Sequence, residues 1–488
     1  MPTARLALVV TLIGLTPTAF GQAATFAPLA TYAIGGGSTA GPYCLAVADV
    51  NGDGKPDAIT AHYSSASLDV LLGSGSGSFV LQANSPATGG RAPYDMTMAD
   101  VNGDGRPDAL VVNTGGNTMG VLLNNGSGNF TLQATAPFTG GRPNSITVAD
   151  VNGDGLPDAL VTNSIANTST LGVLLGNGAG GFTLQASTPL TGTGISATAV
   201  VVADVNGDGK PDALTANFSS GTLGVLLGNG SGGFTLQANS PSTGAGSNPT
   251  SLALADVNGD GKLDVLTTDE TFDTLRLLLG DGNGGFTLQP NAPSTGASSL
   301  PWGLAVADMN GDGKLDVVTA NYRASTVGIL LGNGSGTFTL QPNSPSTGAG
   351  GLPARVEVAD VNSDGKPDIV VANAAKNTLG VFLNTTTALS TLTALPGARA
   401  TLAPNPTHAA TTLTATGLPA ATTQLAAVLL SPLGQQVRRL SVPTTGGAAT
   451  GSVPTAGLAA GLYLLQLEAV DAQGAALGAL PTQRLNVE

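Results

Sequence analysis

The sequence predicts an all-β fold: a seven-bladed β-propeller of four-stranded blades followed by a small C-terminal β-sandwich. Three observations predict it. A nine-residue acidic motif recurs seven times, the stretches between copies hold only short apolar runs broken by Gly, Asn and Pro, and the repeat stops near residue 387, where the patterning changes.

The repeat comes first, because a fixed period of this length defines the architecture. Asp49-Val-Asn-Gly-Asp-Gly-Lys-Pro-Asp57 recurs with its first Asp at 100, 150, 204, 256, 308 and 360, at spacings of 50 to 54 residues. That spacing suits a four-stranded propeller blade. The fifth repeat shows the strands. Ser251–Ala255 precedes the motif, Asp264–Thr268 follows it, Leu275–Leu279 comes next, and a glycine turn at 280–285 leads into Phe286–Gln289. Runs of four to six residues between turn formers read as strands rather than helices.

A phenylalanine after the glycine turn forms a column of six: Phe79, Phe130, Phe182, Phe234, Phe286 and Phe338. The seventh repeat ends at Leu383-Asn384 without one, while Phe26–Ala30 stands alone before the first motif. The N-terminal strand is therefore expected to complete the last blade and close the ring, which removes exposed sheet edges. The propeller is assigned to residues 24–387, a linker to 388–396 and the C-terminal domain to 397–488.

Every copy of the motif keeps Asp at position 1, Asn at 3, Asp at 5, Gly at 6 and Asp at 9. Calcium takes six to eight hard oxygen ligands in a flexible cage, and three carboxylates plus an amide oxygen within nine residues supply most of one. Position 7 varies, as suits a residue lending only its backbone carbonyl, and Gly at 6 allows a sharp bend. The expected ligands are Asp49, Asn51, Asp53, Lys55 and Asp57; Asp100, Asn102, Asp104, Arg106 and Asp108; Asp150, Asn152, Asp154, Leu156 and Asp158; Asp204, Asn206, Asp208, Lys210 and Asp212; Asp256, Asn258, Asp260, Lys262 and Asp264; Asp308, Asn310, Asp312, Lys314 and Asp316; and Asp360, Asn362, Asp364, Lys366 and Asp368. Position 12 lacks the distal Glu of an EF-hand, and a strand rather than a helix follows. The loops hold 21 of the 31 acidic residues, so seven Ca²⁺ ions would offset the formal net charge of −14. That balance excludes a nucleic-acid binder, which needs a basic face.

The motif, set between strands, resembles the FG-GAP/VCBS repeat, whose calcium loops also occur in the integrin α-subunit propeller. The resemblance covers residues 24–387 and implies Ca²⁺ held between the first two strands of each blade, about seven sites in all. Ser363 stands in place of Gly at position 4 of the seventh motif, a position that is not a side-chain ligand.

Residues 1–21 read as a secretory signal peptide: Arg5, an apolar stretch from Leu6 to Leu15, then a small-residue cleavage region ending at Gly21. The apolar stretch is too short to span a bilayer, and no transmembrane segment is expected in the mature chain. The single cysteine, Cys44, rules out an internal disulfide framework and reads as a core residue. The C-terminal segment resembles the sorting domain of the type IX secretion system through Pro404-Asn405-Pro406, Gly461-Leu462-Tyr463 and the final Arg484-Leu-Asn-Val-Glu488. This implies a secreted or outer-membrane surface location and the type IX machinery as a partner.

The expected function is a binding or adhesion module, monomeric, with an extracellular protein or glycan as ligand. A carbohydrate-binding lectin is the alternative, and an extracellular polysaccharide-active hydrolase or lyase the lesser one. No enzyme activity is expected: the chain has two histidines, His62 and His408, and the acids outside the propeller loops (Asp69, Asp95, Asp269, Glu270, Asp273, Asp281 and Glu357) are scattered along the sequence as if on a solvated surface. Trp302, Tyr322, Tyr43, Tyr63 and Tyr94 are unevenly spread over the repeats, which suits one or two sugar sites at most. An Asn column at the exit of the second strand (Asn113, Asn163, Asn217, Asn321 and Asn373) reads as turn capping.

Overall fold

The structure is a computed structural model that describes residues 23–35, 41–165, 168–192, 194, 196–386, 395, 397–405, 407, 410–430, 436–456, 458, 461–471 and 476–487. The expected signal peptide, nearly all of the linker at 388–396, Pro406 and Glu488 lie outside the described residues.

The acidic motif places a strand on each side of itself, and a glycine turn follows one strand later. The chain must therefore run as an antiparallel meander. Blade 1 is Pro42–Ala48, Asp57–His62, Ser67–Gly73 and Phe79–Leu81, hydrogen-bonded in sequence order. Blades 2 to 6 repeat this order, giving six four-stranded sheets. Second strands are buried on both faces, as in Asp108–Asn113 and Asp316–Asn321, because each blade is packed between two others. This explains runs that are apolar throughout rather than alternating.

The seventh sheet is built from both ends of the propeller. Pro353–Ala359, Asp368–Asn373 and Thr378–Phe382 are joined by Ala30–Ala33, which pairs antiparallel with 378–381. Phe26 bridges Asn384 at the place where Phe79 pairs Gly73 in blade 1, so it supplies the seventh member of the phenylalanine column. First strands of neighbouring blades touch all the way round, and the last contacts the first. The ring is closed and the seven first strands surround its axis.

Linkers between blades are fixed by buried polar groups. Thr88 lies between blades 1 and 2. Its carbonyl accepts from Asn113 Nδ2 at 2.9 Å, and its hydroxyl donates to Asn113 Oδ1 at 3.0 Å. Asn163, Asn217 and Asn321 donate likewise to Thr139, Thr191 and Thr295. The Asn column is thus structural, but it ties the linker between blades rather than capping its own turn as expected. The facing glycine follows from the same crowding: a Cβ on Gly224 would sit 1.9 Å from the Thr191 carbonyl oxygen.

The C-terminal domain is one seven-stranded sheet with Arg399–Ala403 at one end and Ala476–Val487 at the other. A parallel bridge from Thr407 to Val487 draws the two ends together, so the sheet is nearly closed around its own core, with Leu413, Leu425, Leu465 and Leu485 at 0% exposure. Asn405, from the Pro-Asn-Pro segment, donates to the Arg484 carbonyl at 2.6 Å and accepts from the Asn486 amide at 2.8 Å.

Gly224→Ala should lower stability by about 1–3 kcal/mol, the usual cost of overpacking a filled site. Chemical denaturation measures it, and an unchanged midpoint would contradict the linker packing described here.

Candidate metal loops and the channel mouth

Each acidic loop joins the first and second strands at one end of its blade. In the first loop, the Asp49 carboxylate accepts from the amides of Gly52 (2.7 Å) and Gly54 (2.7 Å), and the Asn51 side-chain oxygen accepts from Asp53 N at 2.8 Å. Gly52 and Gly54 adopt φ of +77° and +79°, the left-handed region in which a side chain is strained. In the seventh copy Ser363 takes this conformation at φ +61°.

The Asp at position 9 has a different role. Asp57 is 0% exposed and bridges two strand ends, with Oδ2 accepting from Val50 N at 3.0 Å and Oδ1 from Gly73 N at 2.7 Å. Asp108, Asp158, Asp212, Asp264, Asp316 and Asp368 repeat both bonds at 2.7–3.1 Å. Burial pushes these carboxyls above the usual range, and the Asp residues at positions 1 and 5 of the same loop push them further. Asp316 reaches about 7 and Asp368 about 6.

Position 7 is a cation in six loops, Lys262 included, and in five of them it pairs with the Asp at position 5. Lys55, Arg106, Lys210, Lys314 and Lys366 lie 3.2–3.8 Å from the Asp at position 5. Most of these pairs are well exposed and contribute little to stability. Leu156 has no charge to offer.

The donors fit a hard cation chemically: oxygens only, on a tight loop, with a surplus of negative charge. Their present arrangement favours backbone amides as partners, and among the described residues no three His, Cys, Asp or Glu side chains converge as a metal cage. The structure thus brings positions 1, 3 and 5 together at an exposed loop and sets position 9 beneath them as a buried strap.

Neighbouring loops are coupled. The glycine turn of one blade donates to the position-2 carbonyl of the preceding blade's loop, as in Gly128 N to Val50 O at 3.1 Å and Gly232 N to Val151 O at 2.9 Å. Blade 7 has no such turn, and Asn384 Nδ2 reaches the Met309 carbonyl instead, at 2.9 Å.

At the opposite end, the first strands begin and the second strands finish around the axis. Tyr43, Tyr94 and Trp302 occupy the second position of their first strands, while Tyr63 and Tyr322 directly follow second strands. These five rings, spread over blades 1, 2 and 6, form one cluster. Trp302 stacks on Tyr322 with centroids 3.8 Å apart, and Tyr43 lies 5.1 Å from Tyr63 and 6.2 Å from both Tyr94 and Trp302. Sequence spacing hid this convergence, because blades far apart in the chain share one small axial opening.

Acidic residues outside the loops also gather here. Asp95 lies 3.9 Å from Arg355 across blade 1 and accepts from Ser145 Oγ at 2.8 Å. Burial and the Asp95 charge push Glu357 up to about 7. Glu270 accepts from Trp302 Nε1 at 3.2 Å, and burial raises its carboxyl above the usual range. Asp69 and Asp269 are fully buried, paired with His62 at 2.7 Å and Arg276 at 3.0 Å. Cys44 is a buried free thiol whose pKa burial raises, as a core residue's would be.

Fold and loops together define a seven-bladed propeller built on acidic-loop repeats. The chain belongs to the FG-GAP-like repeat family, whose model matches residues 49–111, 100–161, 164–215, 204–267, 256–319 and 308–371. No curated protein matches it. Similar solved structures include a protein from Lactobacillus plantarum (15% identity, 63% of this chain and 85% of that one, TM-score 0.48). Another is the periplasmic gluconolactonase of Pseudomonas aeruginosa (17%, 63% and 86%, TM-score 0.48). A third is the extracellular domain of a putative hybrid two-component system from B. thetaiotaomicron (8%, 95% and 60%, TM-score 0.44).

The expectation of no enzyme activity is corrected. A gluconolactonase stands among the similar structures, and the acids read as scattered surface include Asp95, Glu270 and Glu357 near the axis. Separation along the sequence is no ground for excluding chemistry here, and enzyme status is open. Among the described residues, no helix is long and apolar enough to cross a membrane.

The two roles within a loop separate by mutation. Asp264→Ala strands two buried amides and should cost roughly 2–5 kcal/mol without any metal. Asp260→Ala, on the exposed part of the loop, should cost less than about 0.5 kcal/mol in EGTA. Equal losses in urea unfolding would contradict the division.

Proposed function

We propose that the chain is an exported, cell-surface or secreted binding module whose propeller is stiffened by Ca²⁺ in its seven loops. The observation that carries this reading is the sevenfold repetition of an all-oxygen donor set, from Asp49–Asp57 to Asp360–Asp368, on loops bent by residues at positive φ. Asp at positions 1 and 5, Asn at 3 and the carbonyl at 7 would hold the ion, with the buried Asp at 9 as the third carboxylate. The ion supplies positive charge where three carboxylates crowd together. With a single free cysteine, the chain has no disulfide to do that stiffening.

Export is supported by the N-terminal pattern of Arg5, an apolar stretch and small residues. Sorting through the type IX system is supported by the C-terminal domain, where the Pro-Asn-Pro segment and the final strand, two of the resembling motifs, are hydrogen-bonded to each other. Removing residues 397–488 would then leave the propeller folded but retained within the cell envelope.

Thermal melts in Ca²⁺ and in excess EGTA test the metal. At a Kd near 10⁻⁴ M, typical of extracellular modules, 10 mM Ca²⁺ adds about 2.7 kcal/mol per occupied site, so chelation should lower Tm by several degrees or more. Calorimetric titration should count about seven ions on the folded chain, the number of loops, and one fewer in Asp53→Ala. An unchanged melt in EGTA would defeat the reading.

A further inference from the structure

Beside the aromatic cluster lies a cavity of about 230 Å³ lined by Tyr94, Thr198, Phe218, Thr250, Trp302 and Arg355, with Ser196 and Glu270 at its wall. Five blades, all but the first and the third, contribute to it, with Arg355 from blade 7 and Tyr94 from blade 2 on either side of blade 1.

The cavity's walls are held in place before any ligand arrives. Trp302 is clamped between its stacking on Tyr322 and its hydrogen bond to Glu270 Oε2. Thr198 Oγ1 donates to the Pro249 carbonyl at 2.9 Å and Thr250 Oγ1 to the Pro301 carbonyl at 2.8 Å. Each threonine thereby spends its proton on the next blade and keeps acceptor capacity on its oxygen, Thr250 Oγ1 using one lone pair to accept from Thr268 Oγ1 at 2.8 Å. Glu270 contributes further acceptor capacity, and Arg355, with its side chain 23% exposed, contributes donors.

These groups select a ligand. One carboxylate beside one guanidinium excludes a polyanion, and charged and hydroxyl groups exclude a lipid chain. The volume is below the 300–1,000 Å³ common for drug-sized ligands, so it admits one ring rather than an extended chain. Aromatic faces carry negative charge density, which attracts the polarised C–H bonds on a sugar ring's face, while carboxylate, guanidinium and threonine oxygens match its hydroxyls. The geometry points to a binding site for a single neutral hexopyranose, as the end unit of a glycan, between Trp302, Glu270, Thr250 and Arg355 at the channel mouth. This names a ligand class for the binding module proposed above and rests on that reading.

Trp302 is the only tryptophan in the chain, so its emission reports on this site alone. The full-length mature protein in Ca²⁺ is titrated with the methyl glycosides of glucose, galactose, mannose and N-acetylglucosamine. At least one should give a saturable emission change. Glu270→Gln should weaken that binding about tenfold or more, the worth of one charge-assisted hydrogen bond, with the melting temperature as a check on folding. Tyr94→Ala, followed by calorimetry, serves as the second variant if Glu270→Gln fails to fold. No saturable change with any of the four glycosides overturns the site, as does binding untouched by both variants. The EGTA melt is read separately, so loss of calcium dependence and loss of sugar binding are told apart.

Discussion

Everything in the propeller depends on a buried carboxylate used seven times. The Asp at position 9 of each motif ties the start of its acidic loop to the end of the third strand, with one oxygen for each. Without it, two amides at the rim of every blade would face apolar neighbours unpaired, each at a cost of roughly 1–3 kcal/mol. The strap is itself costly, because burial and two nearby aspartates oppose its charge. A blade of short strands thus gains its geometry from a group that is electrostatically uncomfortable. A cation at the loop above, as proposed, would relieve that discomfort.

Those features of the fold that come from local chemistry were legible in the sequence. Motif spacing gave the blade count, glycine turns gave the meander, and the missing seventh phenylalanine gave the closing strand, which Phe26 fulfils at its bridge to Asn384. The second-strand asparagines read in sequence as caps of their own turns, whereas their amides hold the linker between blades, a partner 24–26 residues away. The paired replacements in two blades are readable only in space. His62 faces Asp69 in blade 1, and Asp269 faces Arg276 in blade 5, where other blades put Asn opposite Gly.

The candidate sites were legible to different degrees. Loop residues are contiguous, so their chemistry is visible in nine letters, yet the division between an exposed rim and a buried strap needed the strand ends in view. The channel mouth was hidden for a stronger reason. Tyr43, Tyr94 and Trp302 share a position within their strands but sit in blades 1, 2 and 6, and only ring closure makes those blades neighbours around one axis. Uneven distribution along a repeat array reads as weakness in one dimension and becomes an asymmetric lining in three.

The closing strand also bears on how the chain reaches its folded state. Ala30–Ala33 and Thr25 are among the first described residues, yet their partners lie at 378–386, with one hydrogen bond spanning 361 positions. Contacts of such separation form late, since the loop they close must be paid for in entropy beforehand. Blade 7 therefore waits for nearly the whole repeat array, and until then its third strand has an open edge. A chain led out of the cell by its N-terminus would cross the membrane with that edge unpaired and the ring incomplete, which keeps it threadable. Arrival of the last repeat then serves as the signal to lock.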